Sequence, residues 1–343
     1  MQELLVSKNE EGWKLKKLCF QYFKDVPNSF TYKMLRKKNI LLNGGKASGD
    51  EILKMGDKVQ IYISDESLKK LREEGSKAGE LPKLSDYKWL TPDRVLYETE
   101  DWLILDKPSG VLSQKGKPGE QSVNDAVIAY LLDKGSISEK SLELFRPSVC
   151  NRLDRNTSGI ISASKTRKGA RELTDYYRAK DGRSAGKYYL TIVHGNCTLK
   201  GHFDRLEYVK SNSNNQAYVW MIGGKRPPET MNFGKSVIIW TDLTPLSYNR
   251  EKDVTLMLCR LHTGRSHQIR VTMQHYGYHV VGDPKYGNPV RDHFLGTEQT
   301  GQLLLAFQLK LPDGKVVQAG VPQAFLGYFP NAERLAIEKI KKI

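Results

Sequence analysis

Short segments in which apolar and polar residues alternate recur along the chain from Trp89 onward. The clearest cover residues 159–164, 188–195 and 253–261. Alternation with a period of two places the apolar side chains on one face of a β-strand, so these segments predict strands. Helical spacing separates some of them, as at 166–180. Many strands with a few helices between them predict an α+β fold with a mixed, mostly antiparallel central sheet flanked by helices.

The composition changes along the 343 residues, a length that favours two domains over one. Residues 1–63 combine helical and strand spacing and predict a small N-terminal α/β domain. Residues 64–88 are polar, charged and poor in large apolar side chains, which is typical of a linker. We expect the main domain at 89–330, followed by a basic helix or tail at 331–343.

The chain is strongly basic, with a formal net charge of +15 and a pI of about 9.4. Such an excess favours a polyanionic partner, nucleic acid first and an acidic membrane surface second, although a basic protein without such a partner is also possible. Five basic side chains occur without an acid between residues 28 and 46. They are Lys33, Arg36, Lys37, Lys38 and Lys46. A solvated helix face is the usual explanation, but charge of one sign beside the Asn43-Gly44 turn favours a phosphate-binding face.

Several classes of protein are disfavoured by the sequence. The four cysteines are far apart and form no CxxC pair, which argues against a disulfide framework or a zinc ribbon and fits a reducing cytosol. There is no signal-peptide pattern at the N-terminus and no apolar run of the roughly 18 to 20 residues that a membrane span needs. Five of the seven histidines lie between 262 and 293, but without HExxH or cysteine spacing. We expect a cytoplasmic protein without a metal site or a membrane partner.

The stretch CNRLDRNTSG at 150–159 places Asp154 between Arg152 and Arg155. A carboxylate close to arginine stays ionised, which suits a nucleophile or a general base. The same arrangement suits a structural salt bridge, which is the commoner fate of such a pair. From this stretch alone, we favour the structural interpretation.

A second charged stretch, LHTGRSHQIRV at 261–271, places Arg265, His267 and Arg270 around the predicted start of a helix capped by Ser266. The free N–H groups and dipole of a helix N-terminus attract anions, and arginines strengthen that attraction. The pattern therefore predicts a site for a phosphate or for a protein carboxylate such as Asp154. The alternative is a polar helix face that points to solvent.

Two further features have weaker signals. Tyr189 lies on the strand predicted for 188–195, where a tyrosine is usually a core residue but in an RNA enzyme can stack on a flipped base. The strip 165–187 carries eight basic and three acidic residues. It is either a second RNA-facing surface or a solvated helix.

Four stretches, in this order and at this spacing, resemble the large RluA-type family of pseudouridine synthases over residues 89–330. They read LYETEDWLILDKPSG, NRLDRNTSGIISASKT, KYYLTIVHG and RLHTGRSHQIRVTMQHYGYHVVGDPKYG. Residues 1–63 resemble the small RNA-binding domain first described in ribosomal protein S-four. The resemblance implies an RNA isomerase that uses neither a metal nor a redox cofactor.

The resemblance also implies roles for individual residues. The family's catalytic aspartate corresponds to Asp154, and the arginine that takes the place of the flipped uridine corresponds to Arg152. The tyrosine that packs on the target base corresponds to Tyr189, and the arginine that pairs with the catalytic carboxylate corresponds to Arg270. Whether Asp154 attacks the sugar, attacks the base or removes a sugar proton stays open.

Two positions depart from the family pattern, since Asn151 and Leu305 stand where the family usually has histidine. Neither is one of the implied chemical groups, so we expect activity, with possible differences in RNA binding. The expected target is large-subunit ribosomal RNA, by analogy with relatives that carry such an N-terminal domain. Transfer RNA as the target and a catalytically idle RNA-binding or ribosome-assembly protein are the alternatives. We expect a monomer.

Overall fold

The computed structural model describes residues 1–23, 26–64, 66–67, 81–117, 119–178, 186–199, 201–211, 216–224, 235–297 and 301–343. The chain forms two compact units. The first comprises residues 1–88, 124–148 and 165–169, and the second comprises residues 89–123, 149–164 and 170–343. Within the predicted linker, residues 65 and 68–80 lie outside the described residues.

The first unit contains a small antiparallel sheet with strands in the order β1-β4-β2-β3. The strands are β1 (Gln2–Leu5), β2 (Ile40–Leu42), β3 (Gly45–Lys46) and β4 (Lys58–Ile61). Helices α1 (Leu15–Tyr22) and α2 (Asn28–Arg36) supply the other half of its core. The buried residues of α1 follow helical spacing, which gives the helix one apolar face. They are Leu15, Leu18, Cys19 and Tyr22.

The second unit is built on one large sheet, which has eleven strands within the described residues. Its strands are β5 (Val95–Glu98), β6 (Trp102–Lys107), β7 (Ser148–Val149), β8 (Ser158–Ser164), β9 (Lys187–His194), β10 (Gly201–Lys210), β11 (Ala217–Met221), β12 (Val237–Asn249), β13 (Val254–Leu261), β14 (Leu304–Lys310) and β15 (Val316–Gln318). The order is β11-β10-β12-β13-β9-β14-β8-β6-β5, with β15 paired to β14 and β7 to β8. The β14–β8 pair is parallel, whereas its neighbours β14–β9 and β8–β6 are antiparallel. The predicted mixed, mostly antiparallel sheet is confirmed.

The remaining helices follow in chain order. They are α3 (Val123–Asp133), α4 (Ser141–Leu144), α5 (Arg167–Arg178), α6 (Gln268–His275), α7 (Pro289–Leu295), α8 (Gln323–Leu326) and α9 (Ala332–Ile340), with short 3₁₀ turns at Leu84–Asp86 and Pro92–Arg94. Across the described ranges, no helix has the length and apolar character required to cross a membrane.

A glycine sets the close approach of β8 to β14. Gly159 has φ +100°, and a Cβ atom at this position would lie 2.2 Å from the carbonyl oxygen of Ala306. Only glycine permits both the backbone angle and the contact. The parallel pairing therefore begins directly after the loop that carries Asp154, which holds that loop at the sheet. Leu305 lies fully buried in β14 beside Leu190, so this departure from the family pattern is a core position.

Candidate active site

A cavity of about 660 Å³ lies within the second unit, beside the loop that precedes β8. It is lined by the loop at 150–157, the first residues of β9, the segment 261–270 and the loop at 284–285. Six side chains that the sequence predicted as site residues lie along its wall. They are Arg152, Asp154, Tyr189, Arg265, His267 and Arg270. The fold therefore brings together residues that are more than 100 positions apart in the chain.

Hydrogen bonds hold the loop of Asp154 on both sides of this residue. The Ser113 hydroxyl accepts a hydrogen bond from the Leu153 N–H at 3.0 Å and donates to the Leu153 carbonyl at 2.8 Å. On the other side, the Thr157 N–H donates to the Asp154 carbonyl at 3.1 Å. These bonds fix the backbone on both sides of the carboxylate, so the side chain projects from a rigid turn.

Lys107 supports the same loop and was not identified from the sequence, although it lies in the first stretch that carries the family resemblance. Its side chain is fully buried. The ammonium donates to the carbonyl oxygens of Pro108, Val111 and Arg155 at 2.9, 2.8 and 2.8 Å. Burial lowers the pKa of Lys107 to about 7, while the negative charge of Asp154 opposes that shift. The three carbonyls match the three donors of the charged form, which ties the loop to the end of β6.

Arg270 joins two carboxylates. Its Nη1 donates to Asp154 Oδ2 at 2.7 Å, while Nε and Nη2 donate to Asp283 Oδ2 and Oδ1 at 2.6 and 2.7 Å. Asp283 also accepts from the backbone N–H groups of Lys285 and Tyr286 at 2.9 and 3.0 Å. Although burial opposes it, the hydrogen bonds and charge of Arg270 lower the pKa of Asp283. The bidentate pair therefore orients the guanidinium, whose remaining nitrogen points at Asp154.

The two carboxylates differ in their access to solvent. The Asp283 side chain is 0% exposed, whereas the Asp154 side chain is 23% exposed and faces the cavity. Asp154 Oδ2 is occupied by Arg270, and among the described residues Oδ1 has no hydrogen-bond partner. Asp154 thus presents one oriented oxygen to a ligand. The interpretation of Arg270 as part of a solvent-facing helix face is wrong, because this residue is 5% exposed.

The helix of Arg270 begins later than predicted. Helix α6 starts at Gln268 and its N-cap is His267, which has φ 59° and makes no side-chain cap bond, so the predicted cap at Ser266 is wrong. The Gln268 amide oxygen accepts from the Arg265 N–H at 3.0 Å and from Thr263 Oγ1 at 3.0 Å. A protein side chain therefore satisfies the donors ahead of the first turn.

His267 is neutral at pH 7. Burial lowers its pKa to about 4, against the attraction of the Asp154 charge. The Tyr286 hydroxyl accepts from the Ala217 N–H at 2.7 Å, so its own hydrogen is available to His267 Nδ1 at 2.8 Å. This leaves the proton on Nε2, which lies 3.9 Å from Asp154 Oδ1. His267 therefore lines the cavity as a polar neutral ring rather than as a cation for phosphate.

Tyr189 lies on β9 between Cys259 of β13 and Ala306 of β14. Its half-buried ring forms part of the cavity wall. Burial and then the charge of Asp154 raise the pKa of Tyr189, so the phenol is neutral. The ring thus offers an apolar face with an uncharged hydroxyl, next to the carboxylate.

The polar residues around Asp154 have separate environments. Arg155 forms an ion pair with Glu120 at 3.2 Å, whereas Arg152 is exposed at the cavity mouth and has no ionic partner among the described residues. The Asn151 side-chain oxygen accepts from the N–H and the hydroxyl of Ser162 at 2.7 and 2.8 Å. The amide at this departure from the family pattern therefore secures β8.

The basic cluster of the N-terminal region lies in the first unit. Its five predicted residues, Lys33, Arg36, Lys37, Lys38 and Lys46, are all exposed. Four of them, Lys37 being the exception, line an open groove of about 1190 Å³ together with Tyr32, whose side chain is 55% exposed. Because none of these cations is buried, the groove is accessible to a polyanion.

The basic strip at 165–187 is described only in part, since residues 179–185 lie outside the described residues. Its Arg167 is half-buried, with the guanidinium 4.6 Å from the ring centre of Trp13 and 5.3 Å from that of Phe145. This arginine packs inside the first unit and is not a surface cation. Within the described ranges, no three His, Cys, Asp or Glu side chains come together as a metal site.

Comparisons with known proteins agree with this geometry. A family model for RNA pseudouridylate synthases matches residues 101–275, about half of the chain. A ribosomal large subunit pseudouridine synthase C from Buchnera aphidicola is 30% identical over 265 residues, covering 77% of this chain and 74% of the relative. An uncharacterized RNA pseudouridine synthase from Mycoplasma genitalium is 27% identical over 317 residues, covering 90% and 89%.

A solved structure shows the same fold. Human RNA pseudouridylate synthase domain containing 4 has a TM-score of 0.54 at 17% identity, and the match covers 74% of this chain and 96% of that chain. The residues matched by the family model include Asp154, Tyr189 and Arg270, which surround the cavity. The resemblance to pseudouridine synthases is thereby confirmed, and the chain belongs to the RNA pseudouridylate synthase family, whose members are RNA isomerases.

Proposed function

We propose that this chain converts specific uridines of large-subunit ribosomal RNA into pseudouridine, with Asp154 as the catalytic residue. The observation that carries the proposal is the single free carboxylate oxygen of Asp154, aimed into the cavity by Arg270. The target class is supported by relatives from several bacteria that are named ribosomal large subunit pseudouridine synthase C, including the one from Escherichia coli.

The reaction exchanges one bond of the uridine for another. The bond between N1 of uracil and C1′ of ribose breaks, a bond between C5 and C1′ forms, the proton on C5 leaves and N1 gains a proton. Substrate and product are isomers, so no oxidant and no group donor is consumed. Asp154 acts as a carboxylate beside C1′, and Arg270 keeps that carboxylate ionised and oriented.

The remaining cavity residues handle the RNA. A uridine in a helix must leave the stack before its sugar can reach Asp154, which costs a few kcal/mol. Arg152, exposed at the cavity mouth, occupies the space that the base leaves, and the neutral ring of Tyr189 packs on the flipped base. Arg265 is exposed on the same wall and contacts the RNA backbone, while the neutral His267 contributes a polar contact.

The proposed organisation follows the sequence. We assign residues 1–63 to an RNA-binding domain whose basic groove holds phosphates, 64–88 to a linker, 89–330 to the catalytic domain and 331–343 to a C-terminal basic helix or tail. Within 89–330, residues 124–148 and 165–169 belong to the first compact unit. The proposed groove contacts come from the exposed cations of the first unit, namely Lys33, Arg36, Lys37, Lys38 and Lys46. The protein acts as a monomer in the cytoplasm.

The test is deletion of the gene followed by mapping of pseudouridine in total cellular RNA. We expect one or a few large-subunit sites to lose the modification and to regain it with the wild-type chain but not with Asp154→Asn. Asp175→Asn is the matched control, because this carboxylate is 68% exposed on α5. Loss of pseudouridine from transfer RNA instead would refute the target. Unchanged pseudouridine, or full rescue by Asp154→Asn, would favour the idle RNA-binding alternative.

A further inference from the structure

Lys187 is a cation of the catalytic cavity that the mechanism above does not use. It is the first residue of β9, two positions before Tyr189, so both side chains leave the strand on the same face. Lys187 lines the cavity together with Gly264 and Arg265. A Cβ atom at Gly264 would lie 3.9 Å from Lys187 Nζ, so the ammonium lies against bare backbone. The amine is therefore positioned on the wall that a bound nucleotide would meet.

Two other basic groups buried near this cavity donate to protein acceptors. Lys107 donates to three carbonyl oxygens, and Arg270 contacts two carboxylates. Lys187 is half-buried, and among the described residues it has neither an ion pair nor a hydrogen-bond acceptor. Burial lowers its pKa, and within the described ranges no negative charge offsets that shift. A partly desolvated ammonium without a counter-ion is unfavourable, and a bound anion would remove that penalty.

The anionic groups of an RNA substrate are its phosphates. When Asp154 meets C1′ of the target nucleotide, the phosphates of that nucleotide are one sugar ring away. Tyr189 projects from the same strand face as Lys187, so the base and a phosphate of one nucleotide can be held by neighbouring side chains of β9. We propose that Lys187 binds a phosphate that flanks the flipped uridine. The inference rests on the proposed function, since it assumes that RNA enters this cavity.

This assignment predicts opposite effects on stability and on binding. Lys187→Met keeps the length and apolar stem of the side chain but removes the charge. Without its unpaired cation the free protein unfolds at the same or a higher temperature, as expected when a residue serves a ligand rather than the fold. RNA binding weakens about tenfold, the usual scale for one charge-assisted contact. The slope of log Kd against log salt falls in magnitude by about 0.7 to 0.9, corresponding to one phosphate contact.

The experiment uses the full chain and an RNA oligonucleotide that carries the uridine mapped by the deletion experiment. Binding is measured by fluorescence anisotropy across a series of KCl concentrations, and initial rates give KM and kcat. Lys187→Arg keeps the charge and should keep the salt slope. Lys315→Met is the matched control, because Lys315 is exposed and does not line the cavity. We expect Lys187→Met to raise KM with a smaller change in kcat.

Three outcomes separate the possibilities. A wild-type salt slope and KM in Lys187→Met would overturn the phosphate assignment. A lower unfolding temperature with an unchanged slope would show instead that Lys187 has a structural partner. Binding and turnover are measured separately. A wild-type chain that forms no pseudouridine on this RNA would refute the proposed function. The salt slope of binding would still decide whether Lys187 binds a phosphate.

Discussion

The pair between Arg270 and Asp283 is the strongest test of how the catalytic carboxylate is held. Asp283→Asn keeps the size of the side chain but removes its charge and turns one acceptor into a donor. In the wild type, Asp283 accepts four hydrogen bonds, at 2.6 and 2.7 Å from Arg270 and at 2.9 and 3.0 Å from backbone N–H groups. The substitution places an NH₂ group against a guanidinium N–H or a backbone N–H, so at least one of these bonds is lost.

The expected loss of stability follows from burial. Removing one partner of a buried ion pair costs about 3 to 5 kcal/mol. In the variant, the Asp154 carboxylate at 2.7 Å still compensates the charge of Arg270. We therefore expect the loss in free energy of unfolding to be about 3 kcal/mol. In a chain of 343 residues, that corresponds to a fall in unfolding temperature of about 4 °C.

Activity should fall for a separate reason. Without the bidentate contact, the guanidinium can rotate away from the position that aims Asp154, so the catalytic oxygen is no longer preorganised. We expect single-turnover formation of pseudouridine to slow by a factor on the order of 100, while the Kd for RNA changes little. We expect Asp283→Asn to keep its RNA affinity because the side chain of Asp283 is 0% exposed and cannot reach a bound RNA.

The assays are urea unfolding followed by circular dichroism and single-turnover kinetics at saturating enzyme. Asp253→Asn is the matched control, because Asp253 is 53% exposed and its pair with Arg291 spans 3.5 Å. Asn also tolerates the positive φ of 47° at this position. The control should change the free energy of unfolding by less than about 0.5 kcal/mol. Asp283→Asn with wild-type stability and wild-type single-turnover rate would refute the reasoning.

Three further predictions test other parts of the molecule. Gly159→Ala should destabilise the fold by about 3 kcal/mol or more, because the new Cβ atom meets the Ala306 carbonyl. The control Gly314→Ala has open space around the Cβ atom and loses only the backbone preference of glycine. Equal urea midpoints for the two variants would contradict this prediction. The free energy of unfolding should fall by up to about 3 kcal/mol as the pH falls from 6.5 to 4. The lowered pKa of His267 in the folded protein means that the unfolded chain binds the proton at a higher pH than the folded chain does. Substituting His267→Asn should flatten that part of the pH profile of urea unfolding, and an unchanged slope would count against a neutral ring. Arg152→Gln should reduce turnover more for a uridine in a duplex than for an unpaired one, because only the former leaves a gap; equal reductions on matched oligonucleotides would argue against the proposed role.

Local patterns in the sequence were sufficient for the strands around the site. Alternating side chains predicted strands at 159–164, 188–195 and 253–261, and the structure has β8, β9 and β13 there. Just after the helix of Arg270, Gly277 has φ 78°, an angle that glycine adopts readily, and donates to the Gln274 carbonyl at 2.9 Å. These features depend on interactions between residues within about four positions, so they can be read from the order of residues alone.

The support of the catalytic carboxylate could not be read in this way. Asp283 and Lys107 lie in stretches that the resemblance covers, but nothing local marks them as partners of Arg270 and of the Arg155 carbonyl. The start of α6 was also misplaced, because the buried Gln268 side chain accepts from the Arg265 N–H and the Thr263 hydroxyl, a contact that no local pattern indicates. Whether a polar side chain caps a helix, pairs with a carboxylate or faces solvent is decided by what packs against it.

The sequence by itself determined the fold class, several of the strands around the site and the residue types of the site, because alternation, spacing and charge are local properties. Only the tertiary structure decided which charges are neutralised. Arg155 pairs with Glu120, Arg270 with two carboxylates, and Arg152 and Lys187 with no partner among the described residues. Burial and distance set the value of each charge, and both arise from contacts between segments that can be more than 100 residues apart, such as Asp154 and Arg270.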